Sequence, residues 1–292
     1  MEAAGPVIRE GARSRQVVAL LRLIRLENCL FGVVTTMIGY ASARATGARR
    51  ANEVVTVVIV GLAVAYGNAV NDLVDESGDT IAKPGRPIVS GFISRRLAWS
   101  TVVALPLAVM VIGAVAAPRL LPFIGGVLLL STLYSVRLKG IPFLGNLSVA
   151  VLAGSTFLFG ALARGSPTAS TLVGCVLITL AFGCFELAKT IEDADADAAV
   201  GLTTAAHVLT PAGQRRTILI LATAYCGSVI GLGIAYVAAD AYWLVIVPVL
   251  PLVGYAVASG RRPPSRQPPI PPFIRASKAL WCIGLVGLLN TR

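Results

Sequence analysis

The chain has 292 residues, of which 13% are charged and 56% hydrophobic, with a mean hydropathy of +0.80. A soluble globular chain carries about 25% charged and about 45–50% apolar residues, so this composition excludes a water-soluble domain, a disordered chain and a disulfide-stapled secreted one. The formal net charge of +11 would suggest nucleic acid in a soluble protein; in a membrane chain basic residues are first of all topology signals.

Apolar segments recur at 17–43, 52–76, 96–117, 118–135, 141–163, 169–190, 216–238, 242–260 and 277–291. At roughly 20 residues per crossing they predict nine transmembrane helices forming one domain over 1–292. Breakers separate them: Pro84 and Pro87, Pro118, Pro142, Pro167, Pro211, and the Pro-rich stretch from Arg261 to Pro272, which reads as a loop. The runs are long and non-alternating, and only helices or closed barrels satisfy the backbone in lipid, so the expected fold is an all-α polytopic bundle around a central cavity. The first segment carries Arg22, Arg25, Glu27 and Asn28 and reads as a membrane helix rather than a cleavable leader. Cys29, Cys175, Cys184, Cys226 and Cys282 are scattered through apolar runs without a C-x-x-C pair and read as packing residues.

With the N-terminus inside, 19 of the 25 Lys and Arg fall on the cytoplasmic side, a strong positive-inside bias. Of the 14 acidic residues, four lie in 72–79 and five in 186–197, both on that same side. Acidic residues at the ends of membrane helices are costly and usually functional.

In the first cluster Asn68, Asp72, Asp75 and Asp79 run i, i+4, i+7, i+11, one helix face. In the second, Glu186, Thr190, Asp193 and Asp197 repeat the spacing 118 residues later, which implies an internal four-helix repeat. Carboxylates sharing a face repel unless cations stand between them. Mg2+ suits such oxygens and takes one or two carboxylates plus substrate phosphates. Two facing stripes would hold a diphosphate between Mg2+ ions, with Lys83, Arg86, Lys139 and Lys189 completing the clamp and neutralising the leaving group. Solvated helix-end charge accounts for one such carboxylate better than for two matched quartets.

The run Asn71-Asp72-x-x-Asp75-x-x-x-Asp79, followed by Lys83-Pro84-Gly85-Arg86-Pro87-Ile88-x-Ser90-Gly91, resembles the first motif of the UbiA superfamily of intramembrane prenyltransferases. Glu186-x-x-Lys189-x-Ile191-Glu192-Asp193-x-x-x-Asp197 resembles its second, and Arg25-x-x-Asn28, Tyr134-Ser135 with Lys139, and Gly145-Asn146 extend the likeness over most of the chain. The motif wording is similar to that of geranylgeranylglyceryl-phosphate prenyltransferases and related bacterial members. The resemblance implies a nine-helix fold in which Asp72, Asp75, Asp79, Asp193 and Asp197 hold Mg2+, with Asn68, Asn71 and Glu186 in support. It further implies a prenyl diphosphate donor, bound by the basic residues with Arg25, Asn28, Asn146 and Tyr134 lining the site, whose allylic cation a lipophilic acceptor captures. Ala82 and Phe185 stand where similar members carry Asn and Arg, and Ala205-Ala206-His207 follows Thr204 in place of Leu-Pro. The missing Arg favours an aromatic or otherwise neutral acceptor over glyceryl phosphate.

Other residues carry blander readings. His207 reads as solvated, Trp99, Trp243 and Trp281 as interface anchors, and Tyr66 as either chamber lining or packing. A membrane terpene cyclase using the same diphosphate site without an acceptor is the near alternative. A secondary transporter, whose repeats and buried charges look similar, is the remote one; nucleic acid is not needed to explain the charge.

Overall fold

A computed structural model describes residues 16–45, 51–236, 240–261 and 268–288. Arg9, Arg13, Arg15, Arg49, Arg50, Arg262, Arg266 and Arg292, which enter the orientation argument, lie outside the described residues, as does the end of the ninth apolar segment.

The described chain is helical almost throughout: α1 (Leu26–Ser42), α2 (Glu53–Val74), α3 (Glu76–Ala82), α4 (Arg95–Ala116), α5 (Leu121–Val136), α6 (Leu144–Arg164), α7 (Ala169–Glu192), α8 (Ala194–Ala199), α9 (Ala205–Val208), α10 (Pro211–Tyr236), α11 (Leu250–Gly260) and α12 (Pro271–Leu288). Polar residues start them: Asn52, Ser94 and Thr168 each accept a backbone N–H in the first turn of α2, α4 and α7. Two two-residue strands, β1 (Arg44–Ala45) and β2 (Gly165–Ser166), pair antiparallel at the end of the bundle remote from the acidic residues. Among the described residues six helical segments are long and apolar enough to cross a membrane; helices also occupy the other three predicted segments, as α1, α10 and α12.

The predicted repeat is visible in the backbone. Two non-glycine residues have left-handed φ, Arg25 (49°) and Phe143 (63°), and they immediately precede α1 and α6. Asp75 (φ −81°, ψ 0°) separates α2 from α3, and Asp193 (φ −84°, ψ 0°) separates α7 from α8. Both pairs are 118 residues apart, the offset of the acidic stripes. Packing follows the same plan: α2 is the hub for α1, α4 and α5, and α7 is the hub for α6, α10 and α12. Each half has its own buried apolar cluster.

The halves meet where α1 crosses α6. A Cβ on Gly39 would collide with the Phe157 carbonyl, and one on Gly160 with the Thr36 carbonyl; Thr36 Oγ1 also donates to the Thr156 carbonyl at 2.9 Å. Small residues permit such backbone approach, which drives helix association in lipid. Gly39 and Phe157 are themselves 118 apart, so equivalent positions touch at the crossing.

Several boundaries differ from expectation. The first apolar segment is not one helix: residues 16–23 are helical, the chain turns at Ile24 and Arg25, and α1 begins at Leu26. Each acidic stripe spans a break rather than one straight helix. Residues Asp240–Val249, with Pro248, form a 3-10 segment before α11. The last helix starts at Pro271, inside the stretch read as a loop, because proline is tolerated in a first helical turn, where N–H groups lack intrahelical partners. Trp281 is not an interface anchor: it is 6% exposed and packs on Phe31 and Phe182. Trp99 and Trp243 do face outward. Cys29 and Cys184 are buried free thiols, and Cys175 and Cys226 are half-buried ones.

Gly160→Val should destabilise the protein by about 1–3 kcal/mol, the usual penalty of overpacking. Gly125→Ala, with open space around its Cβ, should leave thermal unfolding in detergent unchanged. Equal melting curves for the two variants would remove the crossing from the account of stability.

Candidate active site

Both acidic stripes lie at one end of the bundle and face each other. Asp72, in the last turn of α2, has a side chain 1% exposed. Its Oδ1 accepts from Arg25 Nη2 at 2.6 Å and also from Arg86 Nη1. Arg86 is carried by the turns after α3, and its Nε lies 3.9 Å from Asp79 Oδ2. At the helix break, Asp75 Oδ2 accepts from Lys139 Nζ at 2.5 Å and Asn71 Nδ2 at 2.9 Å. Lys83 Nζ crosses to the second stripe and reaches Asp193 Oδ2 at 3.3 Å. Below the break, α3 packs on α8 with Gly78 against Val200.

In the second stripe Glu186 is buried and accepts from Lys189 Nζ at 3.1 and 3.3 Å. Thr190, the counterpart of Asp72, accepts from Asn146 Nδ2 at 2.6 Å and donates to the Glu186 carbonyl. Tyr134 is half-buried in the last turn of α5. Burial raises the carboxyl pKa of Asp79, with Arg86 opposing and Asp75 and Asp72 reinforcing the rise. Burial likewise raises that of its counterpart Asp197, with Lys139 opposing and Asp193 reinforcing.

Nearly every predicted site residue is therefore in one constellation, but its arrangement differs from a preformed cage. Among the described residues no three carboxylate, histidine or cysteine side chains converge on one point. Lys83, Arg86 and Lys139 stand between the acids instead. Asn68 is engaged elsewhere: its Nδ2 donates to the Ile24 carbonyl at 2.8 Å and its Oδ1 accepts from Asn28 Nδ2 at 3.3 Å. It pins the turn that aims Arg25. Two carboxylate oxygens, Asp72 Oδ2 and Asp79 Oδ2, are buried without a hydrogen bond. Such atoms are costly unless a cation reaches them.

Some roles were not legible beforehand. His207 is exposed, as expected, and also makes local hydrogen bonds: its Nδ1 accepts the Thr204 N–H at 3.0 Å, so Nε2 carries the proton and donates to the Ala194 carbonyl at 3.0 Å. It thereby ties α9 to the start of α8. Tyr66 is buried and shares a 2.6 Å hydrogen bond with Thr132, so it packs. Phe185 lies under Lys189, whose Nζ is 5.9 Å from the ring centre.

The UbiA prenyltransferase family matches residues 32–277, a span that includes both stripes and the crossing of α1 with α6. The chain belongs to this family. It is 34% identical over 248 residues to the digeranylgeranylglyceryl phosphate synthase of Natronomonas pharaonis, covering 84% of this chain and 88% of that protein. The synthase of the same name from Methanoculleus marisnigri is 37% identical over 221 residues, covering 73% and 75%. Among solved structures, a UbiA homologue from Aeropyrum pernix superposes with a TM-score of 0.72 at 20% identity, covering 90% of this chain and 97% of that one. One from Archaeoglobus fulgidus, bound to DMAPP and Mg2+, gives 0.66 at 17% identity, covering 92% and 98%. The protein is thus an integral membrane prenyltransferase of the UbiA family.

Within this UbiA member the Arg25–Asp72–Arg86 group is a structural requirement. Asp72→Ala would leave two guanidinium groups facing each other without their shared acceptor. The expected loss is on the order of 2 kcal/mol, the range for hydrogen bonds to charged groups. Thermal unfolding in detergent measures it; an unchanged transition would show that the group carries no stability.

Proposed function

We propose that the protein transfers the prenyl group of an allylic prenyl diphosphate to a hydroxyl of a glycerophosphate-type lipid in a Mg2+-dependent reaction. The observation that carries this reading is the interleaving of acids and cations across the two stripes, Lys83 to Asp193 and Lys139 to Asp75. Such a set fits a polyanion accompanied by divalent cations: the lysines would pair with its phosphates and the carboxylates would hold the metal.

The donor atoms fit Mg2+. They are hard carboxylate oxygens, two of them buried without a hydrogen bond, and Mg2+ needs few protein carboxylates when phosphates supply the rest. Asp72, Asp75, Asp79, Asp193 and Asp197 would hold it, with Asn71 and Glu186 at hand, and it would supply positive charge to offset the charge building on the leaving group. Lys83, Arg86, Lys139 and Lys189 would bind the diphosphate. The bond between prenyl C1 and the diphosphate oxygen breaks with its electron pair leaving on the diphosphate. A bond from C1 to the acceptor oxygen forms, and the hydroxyl proton goes to the departing diphosphate. The apolar helices below the stripes exclude water, the competing nucleophile.

The aromatic acceptor expected from Phe185 rests on the loss of one cation, and Lys189 over that ring supplies a cation at the same place. The names of the relatives favour glycerophosphate. An orientation with the stripes toward the cytoplasm is supported by the distribution of Lys and Arg.

Asp75→Ala and Asp193→Ala should each lower diphosphate release by about 100-fold or more, the scale for losing one electrostatic stabiliser of a transition state. Purified protein in nanodiscs, offered geranyl, farnesyl and geranylgeranyl diphosphate with and without acceptor, provides the assay. Wild-type Mg2+-dependent turnover in both variants would sink the assignment, and cyclic hydrocarbon formed without acceptor would replace transfer by cyclisation. For orientation, Phe92→Cys, at an exposed position in the loop between α3 and α4, should react with an impermeant maleimide in inside-out vesicles only; labelling of right-side-out vesicles would reverse it.

A further inference from the structure

Beside the acidic constellation lies a groove of about 560 Å3 between the elbow before α1 and the turns after α3. Arg22, Arg25, Lys83 and Arg86 line it together with Val18 and Leu21. The one acid on its wall, Glu27, is drawn to Lys278 at 3.2 Å. Arg25 and Arg86 share Asp72, and Lys83 reaches Asp193. The Arg22 residue is exposed, and its side chain makes no ion pair or hydrogen bond among the described residues. Four cations thus surround a concave space whose walls supply one acid, already paired.

The chain contains its own control for this groove. The second half also turns on a positive-φ residue, Phe143, immediately before α6, yet the positions equivalent to Arg22, Arg25, Lys83 and Arg86 are Gly140, Phe143, Gly201 and Thr204. None is charged. The backbone architecture therefore does not require these cations, and the groove belongs to one half only. The donor site, in contrast, draws carboxylates from both halves.

The groove is also amphipathic. Val18, Leu21 and Leu26 are 48%, 40% and 41% exposed, and Leu30 and Val34 continue the exposed apolar track from Leu26 at four-residue spacing along α1. A ligand with an anionic head and a hydrocarbon chain would set its head among the arginines and its chain along α1 in the lipid. The left-handed conformation of Arg25 costs about 1–3 kcal/mol in a non-glycine residue. It is held by Asn68 on the Ile24 carbonyl, and it turns the chain so that Arg22 and Arg25 both face the groove.

We propose that Arg22, on the wall of this groove, binds the phosphate monoester head of the amphiphilic acceptor beside the donor diphosphate that Lys83 and Arg86 hold, and that it is the specificity-determining residue for that phosphate. The assignment rests on the prenyl-transfer reading above and adds where the acceptor's phosphate sits.

The test uses full-length protein in neutral-lipid nanodiscs, with Mg2+, geranylgeranyl diphosphate, and either geranylgeranylglyceryl phosphate or its dephosphorylated alcohol as acceptor. Arg22→Gln should raise KM for the phosphorylated acceptor about tenfold, the loss of one charged hydrogen bond. KM for the donor and for the alcohol should stay unchanged, and Arg22→Lys should recover part of the effect. A matching rise in donor KM would assign the groove to the donor, and an unchanged acceptor KM would remove Arg22; either overturns the proposal. The same measurement in nanodiscs containing phosphatidylglycerol tests the other phosphate source: an effect seen only there would make the groove a site for bulk anionic lipid and overturn the acceptor assignment. Wild-type protein that releases diphosphate but uses the alcohol as well as the phosphate refutes this inference alone. Release of diphosphate from no donor refutes the transfer reading beneath it.

Discussion

A carboxylate 1% exposed at the end of an apolar helix is tolerable only with cations against it, and Asp72 has two. Much of the architecture follows from bringing them there. Arg25 reaches Asp72 because the chain leaves its helical path at Ile24 and Arg25, in a conformation that a non-glycine residue adopts only when held. Asn68, one turn before Asp72, does the holding through the Ile24 carbonyl. Arg86 comes from the opposite direction, from the turns that follow α3. One buried oxygen thus fixes the entry to α1, the end of α2 and the loop between α3 and α4.

The two halves show which of these features the backbone demands and which the chemistry adds. Helix breaks at Asp75 and Asp193, and positive-φ turns at Arg25 and Phe143, recur at one offset. The polar side chains do not follow it throughout: Asp72 is matched by Thr190, and Asn68 by Glu186. In the second half Asn146 satisfies Thr190 with a neutral hydrogen bond, where the first uses an ion triad. Equivalent backbones with unequal charges make a site with two unlike sides, which suits a reaction whose two substrates differ in charge and size.

The stripes, their common spacing and the apolar segments were legible because each is a local periodicity, set by the geometry of one helix. The breaks inside the stripes were not. Asp75 and Asp193 continue the helical spacing in sequence, and only the packing of α3 on α8 shows that the chain turns there. Trp281 was misread for a related reason: tryptophan near a helix end suits a membrane interface, and its burial depends on Phe31 and Phe182 from helices far away in sequence. Arg22 looked like one more topology signal. Its neighbours Lys83 and Arg86 lie some sixty residues on, and no periodicity joins them.

The position of the breaks also bears on the transporter alternative. Transporters interrupt helices near the bilayer midplane to expose backbone to a solute. Here α2 runs 22 residues and α7 runs 24 before the break, about 33–36 Å at 1.5 Å per residue, more than the roughly 30 Å hydrocarbon core. Asp75 and Asp193 therefore stand past the apolar layer, at one mouth of the bundle, with intact helices beneath them. That arrangement is unlike a midplane interruption. It places the charged chemistry where a headgroup resides and leaves the hydrocarbon portion of the substrate in the layer it already occupies. The proposed transfer between two lipids would use that division, since neither chain would have to leave the bilayer for the two heads to meet.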